Sequence, residues 1–277
     1  MKSLPLLKLN WPVCYWRSLF GFVLTGGYKG DRILSIYNNS AFIDREGKNP
    51  VLADGINIDG IETNVKQTDA LTGDDLEKVH RLFSLSYRQA NHSYLEKSIS
   101  KLRYMALAKM GGRLVGFAVA DTVKTQLPRL PGPQVVVLAG ISCITPEYRR
   151  MGLFRGLETL AVNANGLLTP ETRYLTCGRM AHPASFRVIN RSPSVIPKYG
   201  VPLSDWHKEI GLRVAELYGI NLDPETFVVI GDGSPIGYPV IEIQVEEWEW
   251  LPFESVNRDR GDSLLGITWT PDAPEGW

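Results

Sequence analysis

Cysteine is scarce in this chain: Cys14, Cys143 and Cys177 are the three in 277 residues, far apart and with no Cys-x-x-Cys pair. So odd and scattered a set is neither a disulfide framework nor a group of zinc ligands. No metal is expected, and the chain reads as a protein of a reducing compartment, most simply the cytoplasm. An excess of either charge is missing too. Thirty Lys and Arg stand against thirty Asp and Glu, which argues against the cationic footprint of a nucleic-acid binder and leaves room for a local basic pocket. Long hydrophobic runs are absent as well. The most apolar stretch near the start, residues 11–24, contains Arg17 and is too short to span a membrane. Lys8, Asn10 and Pro12 ahead of it do not make a signal peptide. What remains is 44% hydrophobic and 22% charged residues, the balance of a globular chain long enough to bury a sizeable core.

Three regions are expected. Residues 1–60 show no clear period and read as an N-terminal extension that packs on the rest. Their aromatic cluster (Trp11, Tyr15, Trp16, Phe20 and Phe22) suits packing, a homodimer contact or a wall around an apolar substrate. Residues 61–250 carry regular patterning, and 251–277 read as a tail rich in Pro, Asp and Gly.

Within the middle region Ile61–Gln67 reads as a strand. A helix opening near Asp74 follows, with Leu76, Val79, Leu82, Phe83 and Tyr87 at helical period. Ser93 and Glu96 have the spacing of a capping box at the start of a second helix. Two β-rich runs joined by Gly111-Gly112 predict a hairpin. Val135–Ile144 is almost wholly apolar and predicts a central strand covered on both faces. A helix after Pro146, a strand over 172–178, a short helix over 183–190, a longer one over 205–218 and closing strands at 227–230 and 240–245 complete the reading.

The informative segment runs Ile-Ser-Cys-Ile-Thr-Pro-Glu-Tyr-Arg-Arg-Met-Gly-Leu-Phe from Ile141 to Phe154. A buried strand ends at a proline, two arginines and a glycine follow, and a helix begins. The first helical turn has unpaired N–H groups and the positive end of the peptide dipole, so it attracts phosphate. Gly152 would let a pyrophosphate approach, and Arg149 and Arg150 would add charge-assisted hydrogen bonds. A solvated helix start that is merely basic would look the same.

This segment resembles the acyl-CoA-binding signature of the GNAT superfamily of N-acyltransferases, Arg/Gln-x-x-Gly-x-Gly/Ala after a lead-in ending Pro-Glu-Tyr. Arg149 and Gly152 fill the first two fixed positions, and Phe154 replaces the last small residue. The order of elements from Ile61 to about Val245 is similar to that of the family. So is Ala181-His-Pro-Ala-Ser-Phe-Arg, with His182 where the family has Asn.

The resemblance implies an α/β fold of GNAT type, a mixed central sheet flanked by helices with the N-terminal extension added. It also implies transfer of an acyl group from acetyl-CoA, or a longer fatty acyl-CoA, to an amine on a small molecule or peptide. Cys143, Ile144 and Thr145 would meet the pantetheine arm and thioester. Arg149, Arg150, Met151, Gly152, Leu153, Phe154 and Arg155 would hold the pyrophosphate. Attack would be direct, in a ternary complex. Ile189 stands where many members have an acidic tyrosine, so the proton-transfer groups are open. Glu242 and His182 are the candidates, Tyr174 and Asp121 weaker ones. A catalytically silent module that binds CoA or a partner is the other reading.

Overall fold

The computed structural model describes residues 56, 58–241 and 243–277. The aromatic cluster of the extension, Cys14 and the candidate base Glu242 lie outside the described residues. The chain runs β1 (Ile61–Gln67), α1 (Gly73–Ser86), β2 (Tyr87–Arg88), α2 (His92–Lys101), β3 (Tyr104–Met110), β4 (Arg113–Gln126) and β5 (Pro133–Ile144). Then come α3 (Leu153–Val162), β6 (Tyr174–Met180), α4 (Pro183–Phe186), α5 (Asp205–Tyr218), β7 (Leu222–Asp223), β8 (Val228–Val229), β9 (Tyr238–Pro239) and β10 (Ser263–Thr270).

An eight-stranded sheet has the order β1-β3-β4-β5-β6-β10-β8-β7. Its pairs are antiparallel except β5 with β6. β4 is buried without a break from Leu114 to Thr122, because helices cover both faces of the sheet. On one face Val79 and Phe83 of α1, Leu95 of α2 and Val214 of α5 pack against Phe117, Leu138 and Trp269. On the other, Leu153, Leu157 and Ala161 of α3 pack against Ala106, Ala118 and Val137.

Local chemistry explains most boundaries. Thr72 and Asp75 form a reciprocal capping box at the start of α1. At α2 the cap is Asn91, whose side chain accepts from the Tyr94 N–H. The expected Ser93–Glu96 box is therefore displaced two residues inward, and Ser93 lies inside the helix. Gly111 and Gly112 both take positive φ, as the tight β3–β4 turn requires.

The end of the chain departs most from expectation. Ser263–Thr270, within the presumed tail, is β10, buried at every position and paired with β6 and β8. The described residues of 240–245 form no strand: Val240, Ile241 and Ile243 are about half exposed. β10 takes the place that this run was expected to fill, because Leu264, Leu265, Ile267 and Trp269 bury their side chains completely or nearly so.

Candidate active site

Two distortions of the sheet make a cleft. Opposite Val119 of β4, β5 holds two residues, Gly140 and Ile141, between the pairs Ala118–Ser142 and Ala120–Ala139. This bulge bends β5. A Cβ at Gly140 would meet the Val119 carbonyl oxygen at 2.6 Å, so only glycine fits there. The parallel pairing with β6 ends at Ala139–Gly178. From there β5 continues against β4 while β6 continues against β10, and the two strands part.

Tyr218, at the end of α5, sits at the point of parting. Its hydroxyl lies 2.9 Å from the Ala139 carbonyl oxygen and 2.8 Å from that of Cys177. One O–H is shared between two strand carbonyls, so the end of a helix pins the apex of the split. Burial pushes the phenol well above its ordinary range, which keeps this donor protonated.

Beyond the apex lies a cleft of about 150 Å³. Its walls include Gly140, Ile141 and Ser142 from β5, Gly178 and Arg179 from β6, Phe154 and Glu158 from α3, and Tyr94 from α2. The Ser142 hydroxyl donates to Glu158 Oε1 across 3.4 Å. Burial pushes the Glu158 carboxyl up to about 7, against a smaller lowering by Ser142. Such a carboxyl can give or take a proton near neutrality. The sequence reading missed it, because a lone glutamate on an amphipathic helix looks like a solvated one.

The loop from β5 to α3 lies beside the cleft. Gly152 caps α3 in the left-handed conformation (φ +81°), and a Cβ there would meet nothing within 4 Å. The Gly152 carbonyl accepts from the Gly156 N–H, so the amides of Gly152, Leu153, Phe154 and Arg155 are the orphan donors of the first turn. Arg150 is exposed with φ +64°, and Met151 is exposed. Arg149 donates from Nε to the Ile144 carbonyl across 3.1 Å, tying the loop to the strand end. The Leu153 side chain is buried in the core and Arg155 is half-buried. Phe154 is exposed in the cleft wall.

The remaining candidates fall elsewhere. The cleft is lined by 139–142, whereas Cys143, Ile144 and Thr145 are buried beyond it. The Thr145 N–H is already bonded to the Val115 carbonyl at 2.9 Å. Burial pushes the Cys143 thiol up to about 12, so it is no nucleophile at neutral pH. His182 is the N-cap of α4: its Nδ1 accepts from the Ala184 N–H at 3.1 Å, and its ring packs edge-on against Trp250. Asp121 is held by Arg103 and by the Thr122 N–H. Tyr174 is fully buried at the far end of β6. Glu249 is buried in a 3-10 turn and paired with Arg187 at 2.6 Å. Among the described residues no cluster of three or more His, Cys, Asp or Glu could hold a metal. No described helix is long and apolar enough to cross a membrane.

No family model matches the chain, and no curated protein does. Solved structures similar to it include the ribosomal-protein-S18-alanine N-acetyltransferase from Escherichia coli. That match has 12% identity and a TM-score of 0.34, over 78% of this chain and 99% of that one. A histone acetyltransferase HPA2 and related acetyltransferase from Corynebacterium glutamicum matches at 13% identity and a TM-score of 0.30, over 52% of this chain and 90% of that one. An aminoglycoside N-acetyltransferase, AAC(6')-Iy, in complex with CoA matches at 17% identity and a TM-score of 0.27, over 37% of this chain and 68% of that one. The described residues form an α/β fold, a mixed sheet flanked by helices with one parallel pair that parts. The cleft itself carries the argument about chemistry.

Proposed function

We propose that the protein transfers an acyl group, acetyl by default, from acyl-CoA to an amine. The carrying observation is that β5 and β6 part after Ala139–Gly178 and leave a cleft beside the start of α3, where Gly152 makes no side-chain cap hydrogen bond. In this reading the amides of Gly152–Arg155, with Arg149 and Arg150, hold the pyrophosphate. Peptide groups of Gly140–Ser142, freed from pairing with β6, meet the pantetheine arm and polarise the thioester carbonyl.

Glu158 is the proton acceptor. Its carboxylate takes the proton of the attacking ammonium, the amine nitrogen bonds to the acyl carbon, and the carbon–sulfur bond breaks. The thiolate leaves and takes the second proton, which the nitrogen sheds as the amide forms, and Glu158 returns its own proton to solvent. Holding both reactants together supplies the proximity that direct transfer needs, with no acyl-enzyme. A longer acyl chain would have to pass Phe154.

The test is thermal shift and calorimetry with CoA, followed by thiol release from acetyl-CoA over a panel of amines. CoA should raise the Tm. Arg149→Ala should raise the KM for acetyl-CoA about ten- to a hundredfold and change kcat less, because a charge-assisted contact far from the reacting carbon is mostly uniform binding. An unchanged KM would remove Arg149 from the site.

A further inference from the structure

A second chamber opens from the same split. It has a volume of about 320 Å³ and lies between the C-terminal turns of α2 and α5. Tyr94, Ala139, Gly140 and Arg179 line both spaces, so the chamber meets the cleft where the strands part. Its charged lining is entirely cationic: Lys97, Lys101 and Arg179, with no carboxylate among the described lining residues.

In a chain of zero formal net charge this local excess calls for a cause. Lys97 has one, since it pairs with Asp232 at 2.9 Å on the exposed rim. Lys101 is suited to the negative end of the α2 dipole, a common place for lysine. It lies against Gly219, where an added Cβ would sit 3.3 Å from its Nζ. Helix ends do not account for Arg179, which projects from the interior of the sheet. It stacks over Tyr94 at 5.1 Å and donates weakly from Nε to Ser263 across 3.3 Å. Among the described residues neither Lys101 nor Arg179 forms an ion pair. Lys101 is exposed and Arg179 half-buried, and two such cations facing one chamber make a site for an anion.

Resting on the acyl-transfer reading, we infer that the acceptor is an amine that carries a carboxylate. Lys101 and Arg179 hold the carboxylate in the chamber while the amine reaches the split. The acceptor is assigned the chamber, ahead of the acyl group, because among the described residues the chamber reaches the surface at Lys97, which does not line the cleft. Lys97, with two thirds of its side chain exposed, stands on that rim. An acceptor must enter independently of the donor, whereas an acyl tail needs only a closed end.

The experiment compares α-amino acids with their carboxamides as acceptors for acetyl-CoA on the full chain. The acids should show at least a tenfold higher kcat/KM than the amides. In Lys101→Ala that ratio should collapse about ten- to a hundredfold through KM for the acid, and Lys101→Arg should restore most of it. Equal turnover of acids and amides by the unaltered protein overturns the inference and leaves acyl transfer standing. So does a charge preference that follows the donor, succinyl-CoA over acetyl-CoA, with acids and amides alike.

Calorimetry of the same acids and amides against the CoA-saturated protein reads the chamber without turnover. Selective binding of acids with no thiol release would keep the chamber and sink the transfer reading. Binding of neither, or of both equally, sinks the inference.

Discussion

Glu158 is the residue on which chemistry and stability meet. As a proton acceptor it must be ionised, so kcat/KM should rise with pH and level off above about 7. Glu158→Gln should remove that limb and lower the plateau by about 10²–10⁴. The same shift makes a stability claim of known sign. The folded chain holds this proton to higher pH than the unfolded chain does, so stability falls as pH rises from the ordinary glutamate range to about 7 and is flat above it. Glu158→Gln should therefore raise Tm above pH 7 and leave it unchanged near pH 4. A variant equally active with an unaltered pH profile would strip Glu158 of its role. Cys143 makes the opposite case. Its protonated, buried thiol belongs to the core, and Cys143→Ala should keep activity within about tenfold, whereas an acyl-cysteine mechanism requires a dead variant.

At the scale of elements the cleft depends on a hydrogen bond that no local pattern announces. Tyr218 is one apolar-face residue of an amphipathic helix in the sequence. In the fold its hydroxyl bridges β5 and β6 where they part. Tyr218→Phe should cost about 1–3 kcal/mol in urea unfolding, because it leaves buried carbonyls unpaired. A loss below about 0.5 kcal/mol would mean that the apex is held by packing alone.

Other elements were legible wherever one chemical signal dominated. The Gly111-Gly112 hairpin, the apolar β5, α5 and the Arg149–Gly152 loop all stand close to where pattern and turn residues put them. β10 escaped because the Pro, Asp and Gly on either side of it read as a tail, although Leu-Leu-Gly-Ile-Thr-Trp is a good strand. The alternation over 240–245 has strand period, but its described residues form no strand, and the Val240 N–H bonds to the Ser86 carbonyl next to the β2–β9 pair. His182 illustrates the limit at a site: residue type suggested a base, while position at the first turn of α4 makes it a cap.

On the scale of the whole molecule, the sheet is one continuous structure except at β5–β6, and both cavities open from that discontinuity. Fold class could be read from the order of elements. The cleft wall could not, because Tyr94, Glu158 and Arg179 are far apart in sequence and converge only through the split. The most direct measurement of the central claim is initial-rate kinetics with acetyl-CoA and carboxylate-bearing amines, following thiol release and the acylated product together. Amine-dependent release should be matched one for one by N-acetylated product, with double-reciprocal lines that intersect. Absence of amine-dependent release across the panel, or parallel lines with an acyl adduct on Cys143, would contradict the claim.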